Sequence, residues 1–241
     1  MKNVTYVGGS KGGTGKSLTS MALVDYLRKT FPDDKVMLID TDSSNPDVGR
    51  LYRGRYGMTV EGVLLDDAEK GWISMVEMIG DTDAKHIVIN SMAASNIGIQ
   101  TQGKLFEESI QSLDVDFKIL WIMNRHKDST TLLRDFLKYI KSPSVYPVLN
   151  LYFGEQDEFL FYRSSLDIQQ IIGERGGREL FFPNLNELIA DKLYTDEINF
   201  EELPALLKVG MRTSLKRWLE SVKEVFDTIY LPSPRFTEET I

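Results

Sequence analysis

The sequence predicts an α/β domain, a doubly wound and mostly parallel sheet with helices on both faces. Three observations carry this expectation. Short apolar runs recur at residues 4–7, 35–40, 86–90, 117–123 and 145–151; helix-length segments separate them; and the turns that follow the runs are polar or rich in glycine. Continuous apolar runs suit parallel strands that are covered on both faces, and their alternation with helices is the mark of a sheet built by crossover connections.

Taken in order, residues 4–7 form the first strand, residues 8–15 a glycine-dense loop, and residues 16–29 a helix that ends before Pro32. Val36, Met37, Leu38 and Ile39 make the second strand. Strands follow at 86–90, 117–123 and 145–151, the last despite Pro147, with helices near 99–113 and 129–140. A further strand is expected at 179–182, a helix at 185–193, one long helix at 205–229, and an extended tail at 231–241 containing two prolines. The reading is one domain over 1–230 followed by that tail. Open sheets of this kind bind ligands beyond the carboxyl ends of their strands, which directs attention to Gly8, Asp40, Asn90, Asn124, Asn150 and their neighbours.

The chain has 241 residues, of which 42% are hydrophobic and 27% charged, enough for one large domain core and no case for general disorder. It has no apolar run long enough to cross a bilayer and no signal-like N-terminus, so a cytoplasmic location is expected. With no cysteine, disulfide and thiolate chemistry are excluded. His86 and His126 are the only histidines and stand outside any ligand cluster. A net charge of −8 disfavours attraction of the whole surface to nucleic acid, so DNA binding would need a local basic patch, such as one assembled by a dimer.

The loop is the most informative segment. In GGSKGGTGKS, residues 8–17, glycines permit backbone conformations that turn successive N–H groups inward, and the following helix adds its dipole to an anion site. Gly12, Gly13, Thr14, Gly15, Lys16, Ser17 and Leu18 are therefore the candidate nucleotide-binding residues. Lys16 would reach the β- and γ-phosphates, and the Ser17 hydroxyl would take a position on Mg²⁺. The strict GxxxxGK[ST] pattern fails at one residue, where Ser10 replaces glycine.

The string from Lys11 to Ser17, KGGTGKS, resembles the deviant Walker A motif of the ParA/MinD superfamily of P-loop ATPases, in which the first glycine is dispensable. The resemblance implies an ATPase with ATP and Mg²⁺ as cofactors. It makes Lys11 the signature lysine that crosses a nucleotide-sandwich dimer to the partner's phosphates; otherwise Lys11 is a solvated surface lysine. A second ammonium at a transferring phosphoryl group acts much as an arginine finger does, an effect on the order of 10³–10⁵ in rate. It further implies an ATP-dependent homodimer, a slow hydrolysis stimulated by a protein partner, and a role in plasmid partition, conjugation or mobilisation, with DNA bound directly or through the partner.

In LIDTDSSNPD, residues 38–47, Asp40 ends a strand, while Asp42 and Asp47 follow in a loop of turn-forming residues. Acids at such a place either cap a turn or serve the metal's water shell and the attacking water. By the resemblance Asp42 orients water and Asp40 supports Mg²⁺ indirectly. Asp47 reads as a turn residue.

The strand HIVIN ends on Asn90, where the family usually carries the Walker B aspartate. An amide supplies no charge to Mg²⁺, so an aspartate at 90 is expected to tighten Mg²⁺ use and speed hydrolysis. The string from Asn124 to Asp128 has the wrong spacing to hold guanine. Asn150 stands at a strand end where adenine-binding members often carry asparagine, and Pro183 resembles a position flanking the adenine pocket, although a helix-start proline would look the same. On the last helix Leu215, Trp218, Val222, Phe226 and Ile229 form an apolar stripe beside Lys208, Arg212, Lys216 and Lys223. These four, or Arg53, Arg55 and Tyr56, are candidate contact patches or simply solvated charge. The proline- and glutamate-bearing terminus argues against a membrane-binding helix. Two other functions fit the same loop: an ATP-dependent small-molecule ligase of the dethiobiotin synthetase kind, and a weakly hydrolysing ATP-dependent binding module.

Overall fold

A computed structural model describes residues 1–9, 12–42, 46–65, 68–92 and 96–231. The chain runs β1 (Lys2–Gly9), α1 (Lys16–Thr30), β2 (Val36–Asp40), α2 (Asp47–Tyr52), β3 (Thr59–Gly62), α3 (Glu69–Asp81) and β4 (His86–Asn90). It continues through α4 (Asn96–Ser112), β5 (Val115–Met123), α5 (Lys127–Tyr139), β6 (Ser144–Asn150), α6 (Leu160–Arg163), α7 (Leu166–Glu174) and β7 (Leu180–Phe182). Helices α8 (Glu187–Thr195), α9 (Leu203–Leu206) and α10 (Val209–Tyr230) close it. The strands form one sheet in the order β3-β2-β4-β1-β5-β6-β7, and every neighbouring pair is parallel. The expected doubly wound α/β class is the observed one.

The apolar runs are read twice by the fold. On β4, Ile87 and Ile89 pack with Tyr6, Trp121 and Phe136 on one side of the sheet, against α3, α4, α5 and α7. Val88, between them, packs with Val7, Leu38 and Leu120 on the other side, against α1, α2, α8 and α10. Side chains alternate across a strand, so a run with no polar gaps is what two covered faces require. The apolar stripe of α10 is core: Leu215, Trp218, Val222 and Phe226 are buried. The Trp218 indole also donates to the Pro183 carbonyl at 2.9 Å, tying α10 to the loop after β7. Truncating such an anchor to alanine costs about 3–5 kcal/mol.

Several elements differ from the sequence expectation. The strand β3 was not expected: TVEG has one apolar side chain, and its position at the sheet edge leaves most of it exposed, so there is no burial pattern to read. Asp47 is not a turn residue but the first residue of α2. The helix α3 buries Trp72, Met75 and Ile79 at helical spacing, a stripe that the sequence does carry. The expected single helix at 205–229 is two, because Leu207 and Lys208 are extended and start α10 afresh. Pro147 fits within β6 because pairing with β7 begins only at Val148. Of the expected tail, only Leu231 lies among the described residues.

Candidate functional site

β1 lies between β4 and β5, so the segment after its carboxyl end emerges where the strand order turns, the place at which such sheets hold ligands. The register sets Asn90 opposite Val7 on one side and opposite Asp40 on the other. Three stretches distant in sequence thus meet at one edge: the end of β1 that leads to α1, the end of β2 and the end of β4.

Gly13 and Gly15 adopt φ values of +75° and +102°, the left-handed region that disfavours a side chain. At Gly15 a Cβ would also stand 2.5 Å from the Asn150 amide nitrogen, so glycine is required there for space as well as conformation. Thr14 is buried, and its carbonyl accepts from Asn150 Nδ2 at 2.9 Å. The helix α1 begins without a side-chain cap at Gly15, and Gly15, Lys16, Ser17 and Leu18 all line a cavity.

A cavity of about 430 Å³ opens there, lined by Gly12, Gly13, Lys16, Ser17, Asp42, Asp47, Asn90 and Tyr194 among others. Lys16 is buried, and desolvation lowers its amine from the ordinary 10.5 to about 8, with the Asp42 carboxylate acting in the opposite direction. A buried ammonium at the start of a helix that follows a glycine-rich loop is a site for anionic oxygen. Among the described residues no group of three or more histidine, cysteine, aspartate or glutamate side chains is placed to hold a metal alone. The donor set suits Mg²⁺ instead, which keeps several waters and takes phosphate oxygens with one or two protein oxygens. Ser17, Asp42 and Asp47 are among the oxygen-bearing residues on the cavity wall, with Asn90, Ser91 and Tyr194.

Asp40 does not line this cavity. It is buried, and its carboxylate is taken by protein donors: Asn90 Nδ2 at 3.1 Å and the Asp42 N–H at 3.3 Å on Oδ1, and the Gly49 N–H at 2.8 Å on Oδ2. Burial pushes its carboxyl upward, against the pull of these three donors. The carbonyl oxygen of the Asn90 amide accepts from the Ser20 hydroxyl of α1 at 2.9 Å. Lys11 lies outside the described residues, as do Ser10 and residues 43–45 of the loop before α2.

A second cavity of about 400 Å³ adjoins the first and shares Gly13, Gly15, Leu18 and Tyr194 with it. Asn150, Tyr152, Pro183 and Leu185 also face it. The Asn150 side chain holds the loop by its bond to Thr14 and caps the turn at Leu151–Phe153 by accepting from the Tyr152 N–H at 3.1 Å. Its amide retains a second N–H and a second lone pair. Sequence reasoning missed Tyr194, an exposed aromatic on α8 at the junction of both cavities; as one member of an amphipathic helix it gives no separate signal. It missed Ser20 and Ser91 too.

The string at 124–128 serves the start of α5: Asn124 is buried and accepts from the His126 N–H at 3.0 Å. Of the basic patches, Arg55 is paired bidentately with Glu202, Arg28 lies 4.0 Å above the Tyr56 ring, and Lys223 is bonded to Asp227. A larger cavity of about 950 Å³ lies between α1 and α10, mostly apolar and remote from the phosphate loop.

A parallel sheet, a glycine loop into a helix start and a buried lysine at the switch point define the class: a nucleotide-binding α/β domain with a phosphate-binding loop. Residues 6–158 match the family described as the CobQ/CobB/MinD/ParA nucleotide binding domain, and the chain belongs to that family. It is 34% identical over 228 residues to Protein MobD of Acidithiobacillus ferrooxidans, a match covering 95% of this chain and 98% of that one. The MinD cell division protein of Aquifex aeolicus shares the fold at 17% identity and a TM-score of 0.52, over 97% of this chain and 100% of its own. A putative plasmid partition protein from Borrelia burgdorferi B31, solved bound to AMPPNP, does so at 14% identity and a TM-score of 0.55, over 95% of this chain and 99% of its own. Among the described residues no helix is long and apolar enough to cross a membrane.

Proposed function

We propose that this chain is a cytoplasmic ATPase that acts as an ATP-dependent dimerisation switch in plasmid mobilisation or partition. The observation that carries the reading is the buried Lys16 at the wall of a cavity walled also by glycine backbone, Ser17 and two aspartates. Family membership supports nucleotide as the ligand. The AMPPNP in the partition-protein neighbour supports adenine, and the MobD relative supports mobilisation.

In this reading Lys16 would neutralise the β- and γ-phosphates and Ser17 would supply an oxygen to Mg²⁺, whose charge would offset that developing on the transferring phosphoryl group. Asp42 orients the attacking water. Lys11, by its place in the motif, reaches the phosphates of a second copy. The base occupies the second cavity between Asn150, Pro183 and Tyr194, with the spare N–H and lone pair of Asn150 toward its edge. A protein partner accelerates hydrolysis, and DNA is reached directly or through that partner.

Light scattering at fixed protein concentration with Mg-ATP, Mg-ADP and no nucleotide tests the switch. A doubled mass with ATP alone is the expected result. An unchanged mass, with ATP still bound, would favour a small-molecule ATP-dependent ligase or a weakly hydrolysing binding module.

A further inference from the structure

Asparagine at the end of β4 is a departure in charge, and taken alone it suggests a weakened metal position. Its contacts suggest otherwise. The Asn90 amide is used at both ends: Nδ2 donates to Asp40 Oδ1 at 3.1 Å, and Oδ1 accepts from Ser20 Oγ at 2.9 Å. An ionised carboxylate only accepts, so the partners fix which way the amide points. Asp40 in turn holds the Asp42 N–H at 3.3 Å and the Gly49 N–H at 2.8 Å, which bracket the segment that brings Asp42 and Asp47 to the cavity. The fit at Gly49 is close, since a Cβ there would stand 3.2 Å from Asp40 Oδ2.

We propose that Asn90 is a positioning residue that links the phosphate-loop helix to the segment bearing Asp42 and Asp47, by way of Asp40, and that in this chain the link depends on the amide N–H₂ that Asn90 turns toward Asp40. An aspartate at 90 keeps the bond from Ser20 but sets an oxygen where the amide N–H₂ now meets Asp40. Two carboxylates at that distance in a buried place either repel or must take up a proton to restore a donor between them, and both outcomes weaken the link at neutral pH. The geometry therefore reverses the sequence-based expectation for Asn90→Asp. Of positions 40 and 90, only the one on β2 carries a carboxyl group. The proposal deepens the nucleotide reading, but its stability arm stands without it.

The test is a cycle of native protein, Asn90→Asp, Asp40→Asn and the double variant Asp40→Asn/Asn90→Asp. Thermal melting is measured without nucleotide, and Mg-ATP affinity by calorimetry. Asn90→Asp is expected to melt about 5 °C or more below native and to bind Mg-ATP about tenfold more weakly. The double variant exchanges the two groups, so that an amide on β2 can donate to a carboxylate on β4; it gives up the acceptor of the Asp42 N–H, the longest of the three bonds to Asp40, and is expected to recover about half of both losses. If Asn90→Asp is insoluble, a soluble double variant is the rescue, and an equally insoluble one overturns the proposal. An Asn90→Asp protein that melts no lower and binds Mg-ATP more tightly would overturn it in favour of a weakened metal position. A double variant no better than the worse single would show that the two positions are not coupled. Should no protein of the cycle, native included, bind Mg-ATP, the nucleotide reading fails while the melting cycle still decides the pair.

Discussion

The phosphate loop and the facing ends of β2 and β4 build neighbouring walls of one cavity by opposite means. The loop works through backbone: glycines at 13 and 15 supply left-handed turns, and Lys16, Ser17 and Leu18 reach the wall from the start of α1. The β2 and β4 ends work through side chains, with Ser20 of α1, Asn90 and Asp40 bonded in series to the backbone N–H groups of Asp42, just after β2, and Gly49, within α2. Backbone recognition is fixed by where glycine stands and leaves little room for exchange. A side-chain network can move its charge from one strand to the next, provided each donor still finds an acceptor.

The largest effect that would break this contrast is at the loop. Lys16→Ala should lower ATP affinity by about 100-fold or more, equivalent to about 2.8 kcal/mol, in a direct binding measurement. Lys11→Ala should spare that affinity and abolish ATP-driven doubling of mass, and Asp42→Ala should leave an ATP dimer that persists for want of hydrolysis. A Lys11→Ala protein that still doubles on ATP would remove the trans-acting lysine from the scheme. Next in size, Gly15→Ala should cost about 2 kcal/mol in chemical denaturation, from backbone strain and the approach to Asn150. Adding Asn150→Ala should return only the steric part.

The smallest effect is a pH dependence. The Lys16 amine of the free protein titrates near pH 8, whereas a bound phosphate favours its charged form. ATP affinity should therefore hold below pH 8 and fall by up to about tenfold per unit above it, as binding takes up a proton. Stability of the free protein shifts the other way: the folded value lies below the ordinary 10.5, so the unfolded chain binds the extra proton between about 8 and 10.5, and this group's contribution makes folding more favourable as pH rises through that window.

The contrast also explains what could be read in advance. The strand, glycine loop and helix of residues 2–30 are legible because glycine spacing and an apolar run state them locally. The bond between Asp40 and Asn90 is not, since it depends on β2 and β4 pairing in register across 50 residues. Tyr194 belongs to the site only because α8 packs beside the loop, and β3 escapes because an exposed edge strand has no apolar signature. The break before α10 is equally silent, since Leu207 and Lys208 are good helix formers that tertiary packing holds extended.

The last turn of α10 settles a matter of orientation. Tyr230 is bonded to Thr5, lies edge-on to His86 and sits beneath Lys118, all toward the amino ends of β1, β4 and β5. The cavity at the start of α1 is at the carboxyl ends. Leu231, just after α10, therefore lies at the opposite pole of the sheet, and a fluorophore attached there would report on assembly while leaving the face where two copies would meet unobstructed.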